Sequence, residues 1–233
     1  MSLTIKGFQK TTLVDYPNKV ACTIFLPNCN FRCGFCHNRD LVLNPDSLPT
    51  IKEEEILNYL KEKKKWLDAV CISGGEPLLH KELANFLEKI KQIGYLTKID
   101  TNGTVPDFLK ELIDKNLIDY IAMDIKNSLE NYNKTAGLNA DIEKIKQSIK
   151  IIKNSGKGYE FRTTVTPTIH TKENIKKIGQ LLEGTKKFAI QNFKPAKEVI
   201  DPKYKDVKPF SKEELEEFKE ILKNHIDEVE IRN

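Results

Sequence analysis

Apolar, β-branched runs recur along the chain, and stretches with apolar residues every three or four positions lie between them. Period two marks strands and period 3.6 marks helices. The first strand is expected at 20–26. Thr50-Ile51-Lys52-Glu53 after Pro49 has the form of a capping box, heading a helix to about 66. A second strand over 69–73 leads into a helix through about 93, stopped at Gly94. The third strand covers 95–100, and Pro106 opens the next helix, where a missing N–H is tolerated. The fourth strand is 120–125 with a helix over about 140–154, and the fifth is 161–166 with a helix from Thr171. The sixth is 187–193. Ser211-Lys212-Glu213-Glu214 is a further capping box for a helix to about 224, and 229–232 makes a short closing strand.

Strands alternating with helices are βαβ units, which build parallel sheets. Six units in 233 residues predict an α/β fold, a partial (βα)6 TIM-like barrel with parallel strands, with a doubly wound sheet as the alternative. One domain is expected over 1–233, with 1–18 as an N-terminal extension. Segment 194–210 is irregular and holds Pro195, Pro202 and Pro209. A loop of that length is usually functional: it either folds over a site or orders when a partner docks.

Composition narrows the class. Hydrophobic residues make up 39% of the chain, enough for a sizeable core. The 38 basic and 34 acidic residues give a mixed surface of net charge +4, without the one-sided footprint of a nucleic-acid binder. Lys61, Lys63, Lys64 and Lys65 flank Glu62 at a helix end, where lysines complement the dipole, and read as a solvated face. No run approaches the ~20 apolar residues of a membrane span. The first ten residues lack the apolar core of a signal peptide, so a cytoplasmic location is expected. Five cysteines in such a chain argue against a disulfide framework. Cys22 and Cys71, in strand-like runs, read as buried small hydrophobes.

The other three cysteines carry the candidate chemistry. Cys29, Cys33 and Cys36 form C-x3-C-x2-C on one short loop. Three thiolates can hold three corners of an iron–sulfur cube, leaving one iron open. A Cys3His zinc site with His37 and a c-type haem attachment at Cys33-Gly34-Phe35-Cys36-His37 match the same residues. Zinc would force the adjacent Cys36 and His37 onto one ion, and haem would leave Cys29 unused.

Further polar residues stand where expected strands end: Ser73-Gly74-Gly75-Glu76-Pro77, Asp100-Thr101-Asn102-Gly103, Met123-Asp124-Ile125-Lys126 and Gln191-Asn192-Phe193. Arg162 and Thr164 lie inside the fifth strand. In parallel α/β folds these ends share one face, where sites assemble. Gly74 and Gly75 allow close backbone approach, and Glu76 offers an acceptor for an amine. Asp100 and Asp124 either hold a cation or cap the next helix. Lys126 suits Asp124 or a carboxylate ligand. Arg162 within a strand needs an anionic partner unless its head reaches water. Phe35 either stacks on a flat ring or packs the loop. Asp15, before Pro17, is a turn residue or a docking contact. His80, His170 and His225 read as surface or helix-end residues without a role.

Cys29-x3-Cys33-x-Phe35-Cys36 together with Ser73-Gly74-Gly75-Glu76-Pro77 resembles the radical S-adenosylmethionine (SAM) superfamily. Cys36-His37-Asn38, Asp100-Thr101-Asn102-Gly103 and Met123-Asp124-Ile125-Lys126 are similar to the glycyl-radical-enzyme activases. Gly7-Phe8, Leu13-Val14-Asp15-Tyr16-Pro17, Gln191-Asn192-Phe193-Lys194-Pro195 and Asp201-Pro202 look most like the activating proteins of anaerobic ribonucleoside-triphosphate reductase. The resemblance implies a [4Fe–4S] cluster on Cys29, Cys33 and Cys36, with SAM chelated at the open iron. It implies that Gly74, Gly75 and Glu76 receive the SAM amino group. Asp124, Lys126 and Arg162 would contact the cofactor, and Phe35 with the backbone of His37 would border the adenine. Asp100, Thr101 and Asp124 match positions that bind a monovalent cation beside the SAM carboxylate in some activases. The implied reaction is one-electron cleavage of SAM, fed by reduced flavodoxin or ferredoxin, and abstraction of hydrogen from a glycine of the partner enzyme. Residues 38–70 hold no cysteine, so no auxiliary cluster is expected, and Lys194 stands where some activases carry histidine.

Overall fold

Short apolar runs bounded by Gly, Pro and Asn become strands: β1 (Gly7–Thr12), β2 (Ala21–Leu26), β3 (Ala69–Gly74), β4 (Leu96–Thr101), β5 (Tyr120–Asp124), β6 (Gly158–Val165), β7 (Thr185–Asn192) and β8 (Ile226–Arg232). The computed structural model describes residues 2–232. Its helices are α1 (Arg39–Leu43), α2 (Glu53–Lys63), α3 (Leu83–Ile93), α4 (Pro106–Asp114), α5 (Tyr132–Ala136), α6 (Ile142–Lys153), α7 (Lys172–Leu181) and α8 (Lys212–Lys223). Among the described residues no helix is long and apolar enough to cross a membrane.

The sheet runs β1 to β8 in sequence order, and β2 through β8 pair in parallel. A doubly wound sheet would reverse its strand order at a switch point; this one does not, which fits the partial barrel. β1 lies in the expected N-terminal extension and pairs antiparallel with β2. GFQKTT is short and mostly polar, so its pattern alone predicts no strand there.

Register sorts the side chains. Lys98 pairs with Tyr120, Asp100 with Ala122, Asp124 with Arg162, and Gln191 with Arg232. Residues in register share a face, so the concave side collects charge. The opposite face (Ile99, Ile121, Met123, Phe161) joins the helices in the main core. α3 shows how a helix meets it. Leu83, Phe86, Leu87 and Ile90 repeat at helical spacing and are fully buried, each contributing about 1.5–3 kcal/mol.

Three helix starts, those of α6, α7 and α8, carry a side-chain cap. Ser211 and Glu214 form the expected capping box, and Thr171 forms another with Asn174. The box at Thr50 does not form. Lys52 is the N-cap of α2, without a side-chain hydrogen bond. Tertiary partners take its members instead: Thr50 accepts from Lys6 at 2.9 Å, Ile51 bridges to Ile5, and Glu53 binds the Leu3 N–H and Lys89.

Segment 194–210 lies against the cysteine loop. Asp201 N donates to Gly34 O at 2.8 Å and caps a short turn, Pro202–Tyr204. Tyr204 is buried, 5.9 Å from the Phe35 ring centroid.

Candidate functional site

The loop after β2 is fixed by the turn after β3. Gly75 N donates to Leu26 O at 2.9 Å, and Glu76 N to Asn28 O at 2.7 Å. A Cβ on Gly75 would lie 1.8 Å from Asn28 O, and Gly74 holds φ +116, so the two backbones touch where only glycine fits. Asn38 Nδ2 donates to Gly74 O at 2.7 Å, and Arg32 N to Ala136 O at 2.7 Å. The cysteine loop is therefore gripped from both sides.

Every predicted site residue lines one cavity of about 460 Å³: Cys29, Cys33, Phe35, Cys36, His37, Gly74, Gly75, Glu76, Asp100, Thr101, Asp124, Lys126 and Arg162. The remaining cysteines, Cys22 and Cys71, are buried within β2 and β3, and all five are free thiols. Burial pushes Cys29 up to about 12 and Cys33 up to about 11, and also raises Cys36; Lys126 opposes all three. Such thiols stay protonated until a metal displaces the proton. Phe31 N donates to Cys29 Sγ at 3.3 Å, and Asn102 Nδ2 approaches the same sulfur at 3.8 Å. The donor set fits the cluster: three thiols on one loop, N–H groups aimed at sulfur, and an open cavity beside them.

The floor is an ion-pair chain. Arg162 bridges Asp124 (Nε to Oδ1, 2.5 Å) and Asp100 (Nη2 to Oδ2, 3.2 Å). Lys126 binds Asp124 Oδ2 at 2.8 Å, Lys98 binds Asp100, and Ser73 Oγ donates to Asp100 at 2.9 Å. Burial opposes ionisation of both carboxyls, but Arg162, with Lys98 at Asp100 and Lys126 at Asp124, holds them below the usual range. Neither aspartate caps a helix. Arg162 has the anionic partners its strand position required.

Glu76 is buried, and its carboxylate takes the N–H of Leu78 at 3.0 Å, the Thr101 hydroxyl at 2.8 Å and the N–H of Asn102 at 2.6 Å. Burial outweighs these bonds and pushes its carboxyl up to about 7. The apolar end of the cavity is aromatic. Phe35 meets Phe193 and Tyr204 edge-on at 6.3 and 5.9 Å. His37 stacks on Phe193 at 5.4 Å and reaches Lys194 O at 2.8 Å.

Asp15 turns inward, accepting from Thr23 Oγ1 at 2.5 Å and lining the cavity. His170 is no surface residue: it is 2% exposed, with Nδ1 accepting from Thr166 N at 3.1 Å and Nε2 bonded to Lys126 O at 3.0 Å. Sequence reasoning also missed Lys98 and the side chain of Asn102. Lys98 had a signal, since it stands two residues before Asp100 on a strand and so shares its face.

The family model of the radical SAM superfamily matches residues 23–183. The chain is 37% identical over 237 residues to a Methanocaldococcus jannaschii protein designated a glycyl-radical enzyme activating enzyme, spanning 100% of this chain and 97% of that one. It is 27% identical over 239 residues to the pyruvate formate-lyase-activating enzyme of Clostridium pasteurianum, spanning 96% and 98%. Streptococcus suis SuiB bound to S-adenosylmethionine shares the fold at TM-score 0.67 and 16% identity, over 91% of this chain and 52% of that longer one. A domain of a pyruvate-formate lyase-activating enzyme from Bacteroides vulgatus does so at 0.56 and 19%, over 71% and 99%. With its cysteine loop and Gly-Gly-Glu turn clamped at one cavity inside the matched region, the chain belongs to the radical SAM superfamily.

Proposed function

We propose that this enzyme is a glycyl-radical-enzyme activase: it cleaves SAM reductively and removes hydrogen from a glycine of a partner enzyme, an anaerobic ribonucleoside-triphosphate reductase. The observation that carries the reading is convergence. Three free thiols, the clamped Gly74-Gly75 backbone and the Asp124–Lys126–Arg162 chain meet at one cavity.

Cys29, Cys33 and Cys36 would hold a [4Fe–4S] cluster, which when bound supplies one-electron reduction of the sulfonium of SAM. The chain's residues bind and orient. Gly74 and Gly75 present bare backbone to the amino group, with Glu76 behind them. Lys126 and Arg162 supply positive charge toward the carboxylate. Phe35 and the stacked His37–Phe193 pair offer apolar edges to the adenine and keep water away. A reduced flavodoxin or ferredoxin is the proposed electron source.

The reductase reading rests on the segments that resemble its activating proteins. These border the site: Asp15 and Gln191 line the cavity, and Asp201 is tied to Gly34. The near full-length likeness to a pyruvate formate-lyase-activating enzyme favours a second reading, a lyase-type partner.

Anaerobic loading with iron and sulfide, followed by dithionite and SAM, should yield 5′-deoxyadenosine. Cys29→Ala, Cys33→Ala and Cys36→Ala should each abolish it while leaving the far-UV circular dichroism unchanged. Electron paramagnetic resonance after mixing with a reductase or a lyase should show a glycyl radical on the reductase. A signal on the lyase alone selects the second reading, and a colourless loaded protein ends both.

A further inference from the structure

Lys98 has no part in the function so far, yet it is 2% exposed and its ammonium is paired with Asp100 Oδ1. Asp100 Oδ2 takes Arg162 Nη2 at 3.2 Å and Ser73 Oγ at 2.9 Å. Asp124 Oδ1 takes Arg162 Nε at 2.5 Å, and Oδ2 takes Lys126 Nζ at 2.8 Å. All four carboxylate oxygens thus face a cationic donor. Thr101, the third ligand expected for a monovalent cation, donates its hydroxyl to Glu76 at 2.8 Å and accepts from Gly103 N at 3.1 Å.

A hard cation needs oxygen ligands with lone pairs to give. Each of these carboxylate oxygens already meets a cationic donor, and Lys98, Lys126 and Arg162 against Asp100 and Asp124 leave one formal positive charge among these five residues. The residues do not fit a monovalent metal ion. The charge surplus suits a carboxylate instead.

We propose that Lys98 is a tethered counter-cation: its ammonium stands beside Asp100 in place of a monovalent metal ion, so the carboxylate of SAM is received without one. The inference rests on the SAM-binding reading above. Lys98 touches Asp100 rather than the ligand, which makes it a positioning residue.

The test is calorimetric binding of SAM to the anaerobically loaded protein. Ionic strength is held constant, with potassium, sodium or tetramethylammonium as the sole monovalent cation. The wild-type affinity should not change among the three. Lys98→Met should bind SAM about tenfold more weakly in tetramethylammonium, the scale of one lost bond between charged groups, and recover with potassium or sodium. Lys98→Arg should keep the indifference of the wild type. A wild type that needs potassium or sodium overturns the proposal, as does a Lys98→Met that loses affinity equally in all three salts. If Lys98→Met does not fold, the salt comparison on the wild type and Lys98→Arg decides alone. Loaded wild type that binds no SAM in any salt strikes the function, not this inference.

Discussion

His170 shows how much one buried ring can fix. Its Nδ1 accepts a backbone N–H from Thr166, so its Nε2 must carry the proton and donate it to Lys126 O. The bond holds the backbone of the lysine that pairs with Asp124. Burial pushes the imidazole down to about 4, from 6.5. Because the folded value is depressed, its stabilisation is complete above pH 6.5 and is lost as pH falls from there through 4. The loss approaches about 3 kcal/mol at the acid end. The urea midpoint of the wild type should fall relative to that of His170→Gln between pH 7.5 and 4, a comparison in which the opposite contribution of Glu76, whose raised carboxyl gains its proton in the folded state over the same window, cancels. Asn102 acts at the same scale. Its Nδ2 donates to Asn30 Oδ1 at 2.8 Å and leans on Cys29 Sγ. Hydrogen bonds to sulfur favour the reduced cluster. Asn102→Leu should therefore move the midpoint potential of the loaded protein to more negative values in a redox titration, whereas Asn30→Ala should not. Arg162 was legible from sequence because a charge inside a strand demands a partner. His170 was not, because nothing local reveals that residue 126 passes beneath it.

At the scale of elements, the critical joint is β2 against β3. Gly75→Ala would press a methyl onto Asn28 O, a backbone atom that cannot swing aside. A cost of roughly 1–3 kcal/mol is expected for such overpacking, and the displaced loop would misplace its thiols. The variant should melt earlier by calorimetry and retain less iron per chain. Strand ends were readable because apolar runs stop abruptly at polar motifs. The capping box at Thr50 misled for a physical reason: its residues found better partners in Lys6, Ile5 and Leu3 than in one another. A local pattern proposes a helix start, and distant contacts can move it.

The whole molecule departs from a filled barrel. Branched apolar layers usually fill such an interior, but here Glu160, 1% exposed, is gripped by Arg232 at 2.9 and 2.6 Å. Arg232→Met would strand that carboxylate, at a cost of about 3–5 kcal/mol. Equilibrium unfolding should register it, and adding Glu160→Gln should restore most of it. The number of βα units was legible from spacing, and the polar interior only in part, since the ion pairs depend on register across strands. Among the described residues β1 and β8 each have a neighbour on one side only. A ring of strands must sacrifice a backbone ladder before it can swallow a polypeptide. Here no ladder joins β1 to β8 among the described residues, so parting these two edges would break none.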